Sequence, residues 1–326
     1  MTMKNCVRWG IVGTGEIANK FARAVCSAEG AKAVAVASRR GETARAFADT
    51  YNIEHSFGSY EELAAFDGVD AVYIALPHRY HAPYTEMFLR AGKHVLCEKP
   101  IAVTARELER VQALAAEKQL FVMEAMWTRF LPVMAEIKRV IAAGTIGEVL
   151  EVSADFCYNN PDHSHHAFAG DGDGGSVLDV GIYGLNFALM FLGEDVEQVQ
   201  AMARLENNAD LNMNALLQFG GGAMARVSSA LALEKPELGY IYGSKGCIRV
   251  PAFYGASEFD VVVEGKTTTH AAPFKGNGFE EEIEECCRCI LAGKTQSDVM
   301  PPARSMVVLR LMDEIRKQLG ITYPAK

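Results

Sequence analysis

The chain has 326 residues, with 41 acidic and 32 basic side chains that give a formal net charge of −9. Hydrophobic residues make up 49% of the chain, which excludes a mainly disordered or low-complexity protein. The acidic balance argues against a general nucleic-acid binder, because such proteins cluster lysine and arginine. No apolar run approaches the roughly 20 residues of a membrane span, so we expect no membrane partner.

The first part of the chain alternates predicted strands and helices. Short apolar runs predict buried strands, and apolar residues at helical spacing predict the helices between them. Predicted strands lie at Val7–Val12, Ala33–Ala37, Ala71–Leu76, Val95–Cys97 and Leu120–Met123. Predicted helices lie at Ile17–Ala28, Thr43–Tyr51, Ala82–Ala91 and Thr104–Lys118. This alternation predicts a doubly wound parallel sheet of the Rossmann type over residues 1–126.

The pattern changes near Trp127, where a helix at Leu131–Ala143 is followed by consecutive predicted strands. These strands lie at Val149–Phe156, Val196–Leu205, Ala215–Phe219, Ala223–Leu231, Tyr240–Tyr242, Cys247–Val250, Phe259–Val263 and Thr267–His270. Helices at Phe279–Leu291 and Arg304–Leu319 close the chain. Runs of consecutive strands indicate a large, mainly antiparallel sheet, so we predict an α+β domain over residues 127–326.

A glycine-rich turn follows the first predicted strand and reads G-T-G-E-I-A. Gly13 allows the tight turn, Gly15 lets the backbone approach a pyrophosphate, and Ala18 allows close packing of helix on strand. The predicted helix begins at Ile17, directly after Glu16, and its first turn presents amide groups to the phosphates. We therefore predict a dinucleotide site here, with an ordinary glycine turn as the alternative.

The end of the second predicted strand selects the cofactor. An NAD site usually places Asp or Glu there, whereas this chain has Ser38, Arg39 and Arg40 and no carboxylate before Glu42. Two guanidinium groups and a hydroxyl group suit a 2′-phosphate. We predict NADP rather than NAD, and the alternative is a solvated basic pair at a strand end.

The loop after the third clear strand is a further candidate for cofactor binding. It contains Leu76, Pro77, His78, Arg79 and His81, and it lies at the carboxyl end of a parallel strand, where ligands bind in such sheets. We predict contacts from all of these except Arg79. For His78 and Arg79 the alternative, that they belong to a simple loop at the start of a helix, is nearly as well supported.

Three further motifs resemble one enzyme family. Glu98-Lys99-Pro100 directly follows a predicted strand, residues 174–183 read G-G-S-V-L-D-V-G-I-Y, and residues 124–130 read E-A-M-W-T-R-F. Together with the glycine turn, they resemble the Gfo/Idh/MocA oxidoreductases over the whole chain. Residues 124–130 look like the branch of dimeric dihydrodiol dehydrogenases and NADP-dependent D-xylose dehydrogenases.

The resemblance implies hydride transfer between NADP and a hydroxyl-bearing or carbonyl carbon of a sugar, polyol or cyclic diol. Lys99 matches the family lysine that acts on the substrate hydroxyl group. Asp179 and Tyr183 match the acidic position and the His-or-Tyr position of the second signature, and on a helix they share one face. Either Lys99 or Tyr183 can move the proton. The alternatives are that Lys99 is an ordinary surface lysine, that Asp179 caps a helix and that Tyr183 packs in the core.

The resemblance also implies cofactor contacts from Glu98, Trp127 and Arg129. For Trp127 and Arg129, packing between domains is about equally well supported. We further expect Phe156 and His166 to contact the substrate, since His166 belongs to a polar loop that leads to the second signature. A zinc site needs three or four well-placed protein ligands, and the histidines lie in a polar loop rich in Asn, Pro and Gly, so we favour a loop near the substrate and expect no metal.

Two clusters near the end of the chain have structural interpretations. Cys286, Cys287 and Cys289 have no C-x-x-C partner, and we expect them to be buried as small hydrophobic residues. The acidic run from Glu280 to Glu285 is predicted to be a solvated helix face. The cysteine spacing and the absence of an N-terminal secretory signal predict a cytoplasmic protein with reduced thiols.

The family often pairs subunits through the second-domain sheet, so the resemblance implies a homodimer. Residues 1–126 are then the cofactor-binding domain, and residues 127–326 bind the substrate and the second subunit. Two rival functions remain. One is a redox-neutral glycosidase of the same family that keeps its NAD bound, and the other is a non-enzymatic regulator that binds NADP.

Overall fold

The computed structural model describes residues 6–162, 166–170 and 174–322, without the side chain of His166. The chain forms two compact units. The first contains residues up to Phe130 together with Lys275–Met306, and the second contains Leu131–Phe274 together with the residues from Val307 onward. The predicted division at residue 126 into a cofactor-binding and a substrate-binding domain remains a prediction. The observed units differ from it mainly because Lys275–Met306 pack with the first unit.

The first unit is built on a six-stranded sheet with the order β3-β2-β1-β4-β5-β6. Every pairing in it is parallel, which confirms the predicted Rossmann sheet. Its strands are β1 (Val7–Val12), β2 (Ala31–Ala37), β3 (His55–Phe57), β4 (Ala71–Ile74), β5 (His94–Glu98) and β6 (Val122–Ala125).

The second unit contains an eight-stranded sheet with the order β14-β13-β12-β11-β7-β10-β9-β8. Only the pair β7–β10 is parallel among these strands, so the predicted antiparallel sheet is confirmed. The strands are β7 (Val149–Cys157), β8 (Val196–Glu206), β9 (Ala209–Phe219), β10 (Met224–Ala230), β11 (Leu238–Gly243), β12 (Gly246–Pro251), β13 (Glu258–Val263) and β14 (Lys266–Ala271).

The helices occupy both units. The first unit has α1 (Glu16–Ala24), α2 (Gly41–Tyr51), α3 (Tyr60–Ala65), α4 (His81–Arg90) and α5 (Ala105–Lys118), the second has α6 (Pro132–Ala142) and α7 (Ile182–Leu192), and α8 (Glu280–Leu291) returns to the first. The last helix, α9 (Pro302–Gln318), begins in the first unit and ends in the second. No helix among the described residues is long and apolar enough to cross a membrane.

Three elements were not predicted from the sequence. β3 and α3 are short, with 3 and 6 residues, so they carry little periodic signal. α7 is apolar all around and its residues from Ile182 to Leu189 are buried. A helix that is buried on every side lacks the polar face on which the helical pattern depends.

The acidic run on α8 is not a solvated face, so this prediction was wrong. Glu280, Glu282 and Glu285 are buried. Glu280 accepts hydrogen bonds from the amides of Asn277 and Gly278, at 3.2 and 3.0 Å, and so holds the loop just before its helix. Such bonds from backbone amides let a carboxylate leave water without losing its hydrogen-bond partners. The three neighbouring cysteines on the helix are buried, as predicted.

Candidate active site

The glycine turn between β1 and α1 has the geometry of a phosphate site. Gly13 has a φ of +103°, and a Cβ there would overlap the carbonyl oxygen of Ala75. Gly15 begins α1 without a side-chain cap, and a Cβ at Gly15 would meet no atom within 4 Å. The first turn of the helix therefore presents its amide groups to open space, which suits an anion.

Two residues that the sequence analysis missed hold this turn in place. The side-chain amide of Asn19 donates to the carbonyl oxygen of Gly15 at 2.7 Å. The hydroxyl group of Tyr51 donates to the side-chain oxygen of Asn19 at 2.6 Å. Asn19 lies four residues after Gly15 on the first turns of α1, a spacing that could have identified it.

The basic pair lies at the carboxyl end of β2, next to the glycine turn. The amide of Gly13 donates to the carbonyl oxygen of Ala37 at 2.9 Å, which ties the two strand ends together. Ser38 is half-buried, and Arg39 and Arg40 are exposed. The two guanidinium groups are thus available to a ligand that approaches this edge of the sheet.

His81 links the loops that follow β4 and β5. Its Nδ1 lies 2.7 Å from the carbonyl oxygen of Pro100, and its Nε2 lies 2.6 Å from that of Leu76. Both carbonyl groups can only accept, and a neutral imidazole donates from one nitrogen, so the tautomer decides which of the two contacts is a hydrogen bond. The ring is buried, and its bonds fix the backbone beside Lys99. Of the other predicted contacts here, His78 is buried, Leu76 is half-buried and Pro77 is exposed.

Lys99 follows a buried, bonded carboxyl group at the end of β5. Oε1 of Glu98 accepts a short hydrogen bond from the hydroxyl group of Tyr73. Oε2 accepts from the amide of Lys99 at 3.2 Å. Burial raises the pKa of Glu98, while the bond from Tyr73 and the charge of Lys99 oppose this rise.

A second buried carboxyl group also acts on Lys99. Glu124, at the end of β6, accepts from the amide of Ile101 at 2.9 Å and from the hydroxyl group of Ser305 at 2.7 Å. Burial raises the pKa of Glu124, and the charges of Arg129 and Lys99 lower it. Arg129 itself is buried. The charge of Lys99 therefore interacts with two buried carboxyl groups, and hydrogen bonds from neighbouring groups hold both carboxyl groups in place.

Trp127 lies between β6 and α6, and its ring contacts that of Phe279 with centroids 5.4 Å apart. This contact lies within the first unit. The indole ring is therefore positioned by an aromatic partner from the returning segment that carries α8.

In the second unit, Asp179 lies on a π-helical turn, Val177–Gly181, that runs directly into α7. Such turns are frequent at functional sites. The hydroxyl group of Tyr158 donates to Oδ2 of Asp179 at 2.8 Å. Burial and the nearby Asp179 raise the pKa of Tyr158, so that this phenol remains a donor to the carboxylate.

Tyr183 is buried among aromatic rings that include the predicted Phe156. Its centroid lies 5.5 Å from that of Phe156 and 5.9 Å from that of Tyr254, and the rings of Phe156 and Tyr254 stack at 4.1 Å. Burial and the nearby Glu237 raise the pKa of Tyr254 to about 12. These rings form an apolar wall beside the ring of Tyr183.

The structure brings the predicted residues together within each unit. The glycine turn, the basic pair and the loops after β4 and β5 all lie at the carboxyl ends of the parallel strands in the first unit. Asp179, Tyr183 and Phe156 form one cluster in the second unit. The side chain of His166 and the histidines at 163 and 165 lie outside the described residues.

Tyr158 and Tyr254 were not predicted from the sequence as site residues. Tyr158 follows Phe156 by two residues, so strand alternation could have placed it on the same face. Tyr254 carries no local signal, because it is far from its partners along the chain.

Two family models match the chain. Residues 7–126 match the oxidoreductase family with an NAD-binding Rossmann fold, and residues 134–249 match the GFO/IDH/MocA C-terminal domain. A trans-1,2-dihydrobenzene-1,2-diol dehydrogenase from Mus musculus is 35% identical over 332 residues, covering 98% of this chain and 98% of the relative. The enzyme of that name from Xenopus laevis is 36% identical, covering 97% of this chain and 99% of the relative.

Solved structures agree with this assignment. A 3-ketoreductase from Actinomadura kijaniata, in complex with NADP and TDP-benzene, has a TM-score of 0.90 and 27% identity, covering 98% of this chain and 100% of that one. An aldose-aldose oxidoreductase from Caulobacter crescentus, complexed with glycerol, shares the fold with a TM-score of 0.89 and 24% identity, covering 97% and 98% of the two chains. The predicted family is confirmed: the chain belongs to the Gfo/Idh/MocA oxidoreductases and is a dehydrogenase or reductase built on an NAD(P)-binding Rossmann fold.

Proposed function

We propose that the protein is an NADP-dependent dehydrogenase or reductase that acts on the CH–OH group, or its carbonyl form, of a sugar, polyol or cyclic diol. The observation that carries this proposal is the position of Lys99, at the carboxyl end of β5 and in the field of Glu98 and Glu124. The names of the relatives support a cyclic diol, and the solved 3-ketoreductase complex supports NADP and a sugar-like substrate.

The residues at the sheet edge fit a bound dinucleotide. The open first turn of α1, at Gly13 and Gly15, would hold the pyrophosphate. Ser38, Arg39 and Arg40 would hold the 2′-phosphate, since exposed guanidinium groups bind phosphate in a fixed fork geometry. We propose that further cofactor contacts come from Glu16, Ile17, Leu76, Pro77, His78, Glu98, Lys99, Trp127 and Arg129, with His81 acting through the backbone that it holds.

We propose that Lys99, Asp179 and Tyr183 serve one reaction. The nicotinamide, when bound, supplies or accepts the hydride. In the oxidation direction the substrate hydroxyl proton passes to Lys99 or Tyr183, and in reduction it returns from the same group. Asp179 accepts a bond from Tyr158, and we propose that its carboxylate orients the substrate. Phe156 and His166 are the further proposed substrate contacts.

The test is a panel of aldoses, polyols, dicarbonyls and trans-dihydrodiols with NADP or NADPH, followed by the absorbance of NADPH. We expect turnover with at least one class and a preference for NADP over NAD. A purified protein that retains bound NAD and releases a sugar with no net change in absorbance would instead indicate a redox-neutral glycosidase.

We also propose a homodimer through the open face of the second sheet. Met202, Leu216, Met224 and Tyr242 lie on this one face by strand register and are 81%, 51%, 42% and 38% exposed. Large apolar groups exposed together on a sheet face usually mark an interface. Sedimentation should give a dimer for the wild type and a monomer for the double variant Met202→Lys, Leu216→Lys. An unchanged dimer would reject this face as the interface.

A cytoplasmic location is part of the same proposal. All eight cysteines lie within the described residues and are unpaired, which is consistent with a reducing compartment. Fractionation of the native cell would test it.

A further inference from the structure

Asp210 is a buried carboxyl group that the proposed reaction does not use. It lies near the start of β9 and is 1% exposed. Its Oδ2 accepts from the hydroxyl group of Ser176 at 2.6 Å and from the amide of Val177 at 2.9 Å. These two donors begin the helical segment that carries Asp179 and Tyr183.

The packing around Asp210 is close. A Cβ at Gly175, which has a φ of +103°, would overlap Oδ1 of Asp210. Ser176 also bonds to β10, where its hydroxyl group lies 2.8 Å from that of Ser229. The start of the segment is thus tied to two neighbouring strands by buried polar groups. A glycine at position 175 is what allows the carboxyl group to come so near.

The carboxylate also occupies a favourable electrostatic position. It faces the amide end of a helix that continues from the π turn to Leu192, where a negative charge is stabilised. The charge of Arg316, from the end of α9, acts on it in the same direction, and Arg316 is paired with Asp313. The other groups that bond to Asp210 are neutral.

We propose that Asp210 is a positioning residue for the reaction: its carboxyl group fixes the start of the helical segment and so sets the positions of Asp179 and Tyr183. This inference rests on the proposed function. Asp210 acts through these two residues, because its Oδ2 bonds to the segment and not to a reacting atom. Burial raises the pKa of Asp210 to about 6, and the bonds from Ser176 and Val177 limit this rise.

The pH response follows from that position. When the segment opens, Asp210 returns to water and to an ordinary pKa of about 3.9. The closed segment therefore binds the proton more tightly, and ionisation favours opening. Hydrogen-exchange protection of the amides at 177–183 should fall by up to about 100-fold as the pH rises from below about 4 to above about 6, which corresponds to the roughly two-unit difference in pKa.

The experiment compares the full-length wild type with Asp210→Asn, Ser176→Ala and the control Asp260→Asn. Asp260 bonds to Arg249 and Thr269 on neighbouring strands. We expect Asp210→Asn to remove the pH dependence of protection at 177–183 and to lower kcat by tenfold or more. The KM for NADP should change less than twofold, because the cofactor residues belong to the first unit. Ser176→Ala, which keeps the charge, should lower kcat but retain the pH dependence.

Protection at 177–183 that keeps its pH dependence in Asp210→Asn, or a loss of kcat no larger than in Asp260→Asn, would overturn the proposal. The exchange measurement needs no substrate. Its outcome therefore stands even if no compound in the panel turns over, and a failure of the proposed function is distinguished from a failure of this inference.

Discussion

The hydroxyl group of Tyr158 donates to the carboxylate of Asp179 across 2.8 Å. Tyr158 comes just after strand β7, and Asp179 stands on the π turn before α7. The bond therefore fixes one carboxylate oxygen of Asp179. Because the carboxylate is planar and rigid, it also limits where the other oxygen can point.

We expect Tyr158→Phe to lower kcat by about tenfold or more, because a hydrogen bond to a charged group contributes about 1.5 to 3 kcal/mol. The aromatic ring remains, so the packing beside Phe156 should be kept. Steady-state kinetics with the best substrate of the panel measure the effect. Tyr240→Phe on β11 is the matched control, and equal rates for the two variants would show that the bond to Asp179 has no role in turnover.

Lys99→Ala should leave the dissociation constant for NADP within a few-fold of the wild type and reduce kcat by roughly 10²- to 10⁴-fold, the range of general acid–base catalysis. The reason is that the ammonium group moves a proton, whereas the glycine turn and the basic pair bind the phosphates. Binding is measured by fluorescence titration and turnover by NADPH absorbance. The exposed Lys118 on α5 provides the control Lys118→Ala. Retained turnover on a confirmed substrate would remove Lys99 from the mechanism.

Arg39→Ala should weaken NADP binding by about 10-fold or more and NAD binding much less, because only NADP carries the 2′-phosphate. Titration of both cofactors against the wild type, the variant and Arg110→Ala measures the difference. Arg110 is exposed on α5 and paired with Glu86. Equal weakening of NADP and NAD by Arg39→Ala would contradict the assignment of Arg39 to the 2′-phosphate.

Glu282 should make the stability of the protein depend on pH. Its side chain is fully buried on α8, and neither oxygen has a hydrogen-bond partner among the described residues. Burial, followed by the nearby charges of Glu98 and Glu281, raises its pKa well above the ordinary value. Because the folded state binds this proton more tightly than the unfolded state, stability falls as the pH rises above the unfolded pKa of about 4.3.

The glutamine in the variant Glu282→Gln cannot ionise, so the variant does not lose stability in this way as the pH rises. The melting temperature of the variant should therefore rise relative to that of the wild type as the pH is raised from about 5 to about 8, a range that begins just above the ordinary pKa of a glutamate. Glu117→Gln, on the exposed side of α5, is the control. A constant difference in melting temperature across that range would show that Glu282 is ionised in the folded protein as it is in the unfolded chain, so that its pKa is not raised.

The sequence predicted the first sheet well, because its strands are continuous apolar runs and the turn after β1 has a local glycine pattern. Gly13 and Lys99 could be identified by their places in short motifs. The prediction of a solvated helix face was wrong for Glu282. The burial of an acidic residue depends on what packs over its helix, and a run of acidic residues does not reveal this.

The second-unit cluster was only partly predictable. Asp179 and Tyr183 belong to one motif, but Tyr254 reaches Phe156 and Asp210 reaches Ser176 only through the order of strands in the sheet. Their separations along the chain exceed any local periodicity. Nothing in the sequence alone specifies which strand lies beside which, so these partners could not be found before the fold was known.

The return of Lys275–Met306 to the first unit has a consequence for synthesis of the chain. The indole N–H of Trp9 on β1 donates to the sulfur of Cys287 on α8 at 3.4 Å, across 278 positions. At ribosomal rates of about 5 to 20 residues per second, the partner of Trp9 emerges roughly 15 to 55 s after Trp9 itself. The first sheet thus remains without one of its covering helices until most of the polypeptide has been made, and the Rossmann half is completed after the sheet that follows it in the gene.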